Sequence, residues 1–131
     1  MYRVTQHQMS IYDYLPPYHG ELADRNRWVR LAEAIDWDAI EAAYSGHFAH
    51  GGKVAIPARI AYGSLVVRAV YGVSDRETVS LIRESPYLQF FLGLETFSDR
   101  VPFSPRSMEH FRTRIPARDI RATVKLLRSF G

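Results

Sequence analysis

A chain of 131 residues is the size of one domain, and 47% hydrophobic content, with seven Phe, eight Tyr and two Trp, is ample for a core. Charged residues at 24% exclude wholesale disorder, the absence of cysteine excludes a disulfide framework or thiol chemistry, and no run nears the ~18 apolar residues of a membrane span. The net charge of +3 is unevenly spread: residues 1–99 carry nine basic and twelve acidic side chains, whereas residues 100–131 carry eight basic and two acidic.

Residues 1–23 read as an irregular arm, because Pro16, Pro17 and Gly20 interrupt any helical period. Met1 to Ser10 has one Arg and no apolar stretch, so it is not expected to be a secretory signal, and a cytoplasmic location is expected. Residues 24–131 read as a single helical domain. Asp24 is the expected N-cap of a first helix from about Arg25 to Ile35, with Trp28, Leu31, Ala32 and Ile35 on one face. Asp36 caps a short second helix that places Trp37, Ile40 and Tyr44 together, and Gly46 to Lys53 is a loop. Pro57 opens a long helix to about Tyr71, apolar nearly all round apart from Arg59, Ser64 and Arg68, which predicts a helix buried at the centre of a bundle.

Gly72 ends that helix, and Ser74-Asp75-Arg76-Glu77 has the form of a capping box for the next, which stops near Glu84 ahead of Pro86. Pro86 to Leu92 is a short aromatic helix stopped by Gly93, and Thr96 to Phe103 is a loop. Ser104-Pro105 starts a helix with Met108, Phe111 and Ile115 on its apolar side, and a last helix runs from Pro116 to about Ser129. The expected architecture is all-α: a compact bundle of about six or seven helices, a buried central helix at about 57–71, a helix-turn-helix-like pair and an irregular N-terminal arm.

The last helix carries the clearest surface pattern. Arg118, Arg121, Lys125 and Arg128 fall within ~80° of one another, beside an apolar sector of Ile120, Val124, Leu127 and Phe130. With Arg112 and Arg114 upstream, this stripe suits the backbone of a nucleic acid, since guanidinium groups bind phosphate in a bidentate manner. The same residues also fit an ordinary solvated helix face over the core. Arg59 to Glu84 forms a helix, a tight turn and a second helix, whose first turn would offer Asp75, Arg76 and Thr78 to bases. Asp75 and Glu77 would repel phosphate there; Arg76 and Arg83 are the cations of that helix. His47 and His50 stand three apart beside glycines with no third ligand in sequence, and Glu109-His110 are neighbours that face different ways, so neither pair makes a metal or acid–base site. No phosphate-cradling Gly-rich loop or nucleophile motif is present. No catalytic residue, metal or cofactor is expected in this chain.

Ordered blocks across about residues 7 to 115 resemble the opening of bacterial insertion-sequence transposases with an InsH-type N-terminal domain. They are Asn26 to Glu33, Ile35 to Glu41, Ile56 to Leu65, Ser74 to Val79, Arg83 to Leu94, Val101 to Pro105 and His110 to Ile115. The resemblance implies a part in moving a mobile element by cut-and-join chemistry on its DNA ends. It places that chemistry, an acidic triad holding two divalent metals, in a downstream RNase-H-like domain, so this chain corresponds to the N-terminal domain alone, as a fragment or a truncated reading frame. Asp119, followed by Ile-Arg-Ala-Thr, does not read as the first acid of that triad. The implied role is recognition of the terminal repeats as double-stranded DNA, with a nucleoid-associated location, and assembly of the transposase. Two other readings are carried forward: a self-association module using Phe90 and Phe91 as exposed aromatics, and a truncated remnant without function.

Overall fold

The computed structural model describes residues 25–44 and 56–130. These form seven helices and no strand: α1 (Arg27–Ala34), α2 (Trp37–Tyr44), α3 (Ala58–Tyr71), α4 (Asp75–Glu84), α5 (Pro86–Phe91), α6 (Pro105–Arg114) and α7 (Ala117–Ser129). The arm at 1–23, Asp24, and the loop with His47 and His50 lie outside the described residues.

Helix α3 is the hub and packs against α2, α4, α6 and α7, while α1 lies against α5 and α7. Ten consecutive residues of α3, Ala58 to Val67, are buried, which no single face of a helix can account for, so neighbours cover it all round. Burial stops there: Arg68 and Val70 are half-buried, and Ala69 and Tyr71 are exposed. The all-round apolar pattern therefore marks the first ten residues rather than the full 57–71 span, because the last turn runs past the helices that cover the rest.

The exceptions in that pattern matter most. Arg59 is only 2% exposed. Its Nε donates to the Phe91 carbonyl and one terminal nitrogen to the Phe90 carbonyl, each at 3.0 Å, at the end of α5 where helix carbonyls lack internal partners. Its guanidinium carbon sits 4.4 Å from the centre of the Trp37 ring. Trp37 is fixed in turn by donating to the Ala32 carbonyl at 2.9 Å and by an edge contact with Phe91. Ser64, the second exception, is fully buried and donates to the Ala61 carbonyl within its own helix.

Helix ends follow local chemistry. Pro57 offers α3 no side-chain cap, and Glu41 of α2 supplies one, accepting from the Ala58 and Arg59 amides at 3.3 and 3.0 Å, a carboxylate on the positive end of the helix dipole. Helix α1 begins two residues later than its sequence expectation, since the Asn26 carboxamide accepts from the Trp28 amide at 2.8 Å and makes Asn26 the N-cap. Asp36 accepts from the Ala39 amide at the start of α2 as expected. Ser74 accepts from the Glu77 amide at 3.1 Å, but the Glu77 carboxylate takes the Ser74 hydroxyl instead of the reciprocal amide. Ser104 and Ser107 complete a full reciprocal box at α6, with Pro105 in the first turn. Gln89, wholly buried, donates to the Ile82 and Ser98 carbonyls and accepts from the Ser98 amide, which ties the loop before α6 to α4 and α5.

Phe90 and Phe91 are 3% and 0% exposed. The expectation that they project outward is overturned: both rings belong to the core, and Phe91 packs at a steep angle against Trp28 and Trp37. A run of apolar residues between a proline and a glycine is compatible with either location, and packing decides it.

Three substitutions test this frame. Leu65→Ala, in the buried part of α3, is expected to cost ~2–5 kcal/mol in urea unfolding, and a near-neutral result would refute the hub position. Gly72 and Gly93 both have left-handed backbones, with φ of 63° and 80°. A Cβ at Gly72 meets nothing within 4 Å, whereas at Gly93 it would lie 2.8 Å from Cδ and Nε of Arg59. Gly72→Ala should cost ~1–2 kcal/mol from backbone strain alone, and Gly93→Ala distinctly more in the same assay.

Candidate nucleic-acid interface

Helix α7 divides cleanly. Ile120, Thr123, Val124 and Leu127 are buried, and Arg118, Arg121, Lys125 and Arg128 are exposed along the adjacent edge. Arg118 is 79% exposed, and the Asp119 carboxylate stands 3.9 Å from it, a separation at which water screens most of the attraction. Among the described residues, no carboxylate lies within salt-bridge distance of Arg121, Lys125 or Arg128. The periodicity of the sequence thus places these four correctly on one solvent-facing edge.

The remaining candidates divide. Arg76, Arg83 and Arg114 are exposed on α4 and α6. Arg112 is instead bound to the Asp75 carboxylate, which also takes Arg68 at 2.9 Å. This bond raises the Arg112 pKa, with burial acting in the opposite direction. One carboxylate holds two guanidiniums, so much of the charge on Arg112 is already neutralised by Asp75. Of the three side chains expected to face bases from α4, Asp75 is engaged in this way, Thr78 is buried and donates to the Ser74 carbonyl, and only Arg76 is exposed.

Two clefts flank α7. One, of about 260 Å³, has an apolar floor of Leu65, Ala69, Ile115, Ala117 and Ile120, with Arg68, Arg112 and Arg121 at its rim. The other, of about 550 Å³, lies between the start of α1 and the end of α7, lined by Arg25, Asn26, Arg27, Arg30, Leu127, Arg128 and Phe130. Arg25, Arg27 and Arg30 are additions from the structure. Their spacing held a usable signal: Arg27 and Arg30 lie about 60° apart on α1, off its apolar face. Their meeting with Arg128, about a hundred positions away, is tertiary.

The opposite edge of α7 is a structural seam. Tyr44 donates to the Asp119 carboxylate at 2.5 Å, and Tyr62 donates to the Asp119 carbonyl at 3.0 Å while pairing with Thr123. Asp119 accepts from Tyr44, and no three His, Asp or Glu side chains converge among the described residues. No helix there is long and apolar enough to cross a membrane.

A family profile, the Transposase domain (DUF772), matches residues 12–114, well over half of the chain. The chain belongs to this family. A relative from Rhizobium meliloti, described as the uncharacterized protein ORF8 in the nfe locus, is 33% identical over 101 residues, which make up 77% of this chain and 49% of that protein. This transposase domain therefore spans about half the length of the curated relative it matches. No solved structure matches it. The family match ends at Arg114, the last residue of α6, so the stripe on α7 lies just beyond it.

The Tyr44–Asp119 seam gives a pH prediction. Burial first, and then the hydrogen bond to Asp119 and its charge, push Tyr44 up to about 12 from the ordinary 10.0. A folded-state pKa above the unfolded value means that the contribution is complete below about pH 10 and is lost as pH rises through about 12. Absorbance titration at 295 nm should show the highest-pH tyrosine step reduced in Tyr44→Phe, whose stability should also fall less between pH 10 and 12 than that of the unsubstituted domain.

Proposed function

We propose that this domain binds double-stranded DNA at the ends of a mobile element, using the α7 stripe as its main contact with the backbone and contributing to assembly of the transposase. The carrying observation is the exposed row of Arg118, Arg121, Lys125 and Arg128 on one edge of a helix whose other side is anchored in the core. An anchored helix holds its cations at fixed spacing, so less entropy is lost on meeting phosphates than from a flexible basic tail. Membership of a transposase family makes DNA the polyanion of choice. The chemical step belongs, on this reading, to sequence beyond the segment described here, and the domain acts as a binding module and not as an enzyme by itself.

Self-association through exposed aromatics has lost its residues, because Phe90 and Phe91 are in the core and the exposed large apolar side chains among the described residues are Tyr71 and Leu126.

Fluorescence anisotropy should use two labelled duplexes, one with the terminal repeat of the parent element and one shuffled, at ~50 and ~200 mM salt. Four phosphate contacts at a slope of ~0.9 each should weaken binding on the order of a hundredfold across that range. Arg118→Gln, Arg121→Gln and Arg128→Gln combined should reduce the salt slope by about 3 with the melting temperature unchanged. Tighter binding to the repeat supports end recognition; unchanged affinity of the triple variant would move the contact away from α7.

A further inference from the structure

The cleft between the start of α1 and the end of α7 differs from every other charged feature among the described residues. Four guanidiniums, from Arg25, Arg27, Arg30 and Arg128, line about 550 Å³, and no carboxylate of the described residues lines it. At the rim of the smaller cleft beside α6, Arg68 and Arg112 are both paired with Asp75, whereas no such ion pair engages the four arginines here among the described residues. Four cations without an ion-pair partner among the described residues, set around one open space, repel one another, and an anion relieves that repulsion.

Two of the four are held in place. The Arg30 guanidinium lies 4.6 Å from the centre of the Phe130 ring and donates to the Phe130 carbonyl at 3.1 Å. That of Arg27 lies 5.6 and 5.8 Å from the Trp28 and Tyr71 rings and is 3.5 Å from the Tyr71 hydroxyl. Stacking on a ring leaves the edge of the guanidinium, where its donors are, available for phosphate. A group fixed in this way loses little freedom on binding. Arg25 and Arg128 are exposed and can close over an anion from either side. Asn26 between them is committed to capping α1.

We propose that this cleft is a phosphate site that seats the backbone of the same DNA duplex, so that the contact passes from the α7 stripe across Arg128 onto α1. The proposal rests on the DNA-binding reading above, and adds to it a second element, inside the family segment, that was not visible as part of the stripe. Because the cleft exists only when α1 and α7 are docked, DNA bridging them also holds the two ends of the described chain together.

The test uses the 131-residue protein, titrated with a ~16-base-pair duplex and, separately, with inorganic pyrophosphate, followed by backbone amide NMR. The expected result is movement of the Arg25–Arg30 and Arg128–Phe130 signals with duplex. Arg25→Gln combined with Arg27→Gln should then lose about tenfold in affinity and about 2 in salt slope, equally for repeat and shuffled duplexes. If that pair lowers the melting temperature, Arg25→Gln alone decides, with half the change in slope. Duplex that moves the Arg118–Lys125 signals but leaves α1 and the α1 variants unaffected overturns the cleft and spares the stripe. Loss of binding in the α1 variants but not in Arg118→Gln with Arg121→Gln supports the cleft and overturns the stripe. Pyrophosphate that shifts α1 where duplex does not makes this a small-anion site and overturns the proposal, as does the absence of any α1 shift with either probe.

Discussion

The Arg59 guanidinium is the contact that joins three helices, α2, α3 and α5. It issues from the first turn of α3, reaches the last carbonyls of α5 and lies over the indole of α2, while the same turn of α3 is capped by Glu41 from α2. A cation buried this deeply costs several kcal/mol in lost hydration unless its donors are satisfied, and the carbonyl end of a helix is a site of matching sign. This constraint propagates outward. Gly93 must lack a side chain because Arg59 occupies that space, Trp37 must bring its ring face to the guanidinium, and Phe91 must turn inward between Trp28 and Trp37.

The blocks of sequence that resemble the transposases overlap this cluster. Trp37, Glu41, Arg59, Phe90, Phe91 and Gly93 all come from them, and all serve the fold rather than contact with a ligand. Helix α7, which carries four exposed cations on one edge, is attached to that core through Asp119, Thr123 and its apolar face, and presents its arginines from a fixed base.

Asp75 shows how a fold can withdraw charge from a surface. As the first residue of α4, it sits where a helix N-terminus favours a carboxylate, and from there it binds Arg68 of α3 and Arg112 of α6. The helix-turn-helix outline of α3 and α4 is therefore present, but its leading acid is occupied in joining three helices. Among the described residues, Arg121, Lys125 and Arg128 of α7 and the arginines around the start of α1 have no carboxylate within salt-bridge distance.

The sequence by itself determined the helices, their order and most of their ends, because periodicity, prolines, glycines and hydroxyl caps act over three or four residues. It likewise determined that Arg118, Arg121, Lys125 and Arg128 share an edge, which is a property of one helix. Tertiary structure alone decided where polar residues in apolar settings went. Nothing local distinguishes Arg59, sealed against Trp37, from Arg68 near the surface, or an inward Phe90 from an outward one. It also decided that Asp75 would hold Arg112, and that Arg25, Arg27 and Arg30 would meet Arg128. Those encounters depend on how distant helices dock, and docking is set by the summed packing of the core rather than by any pattern within a single segment.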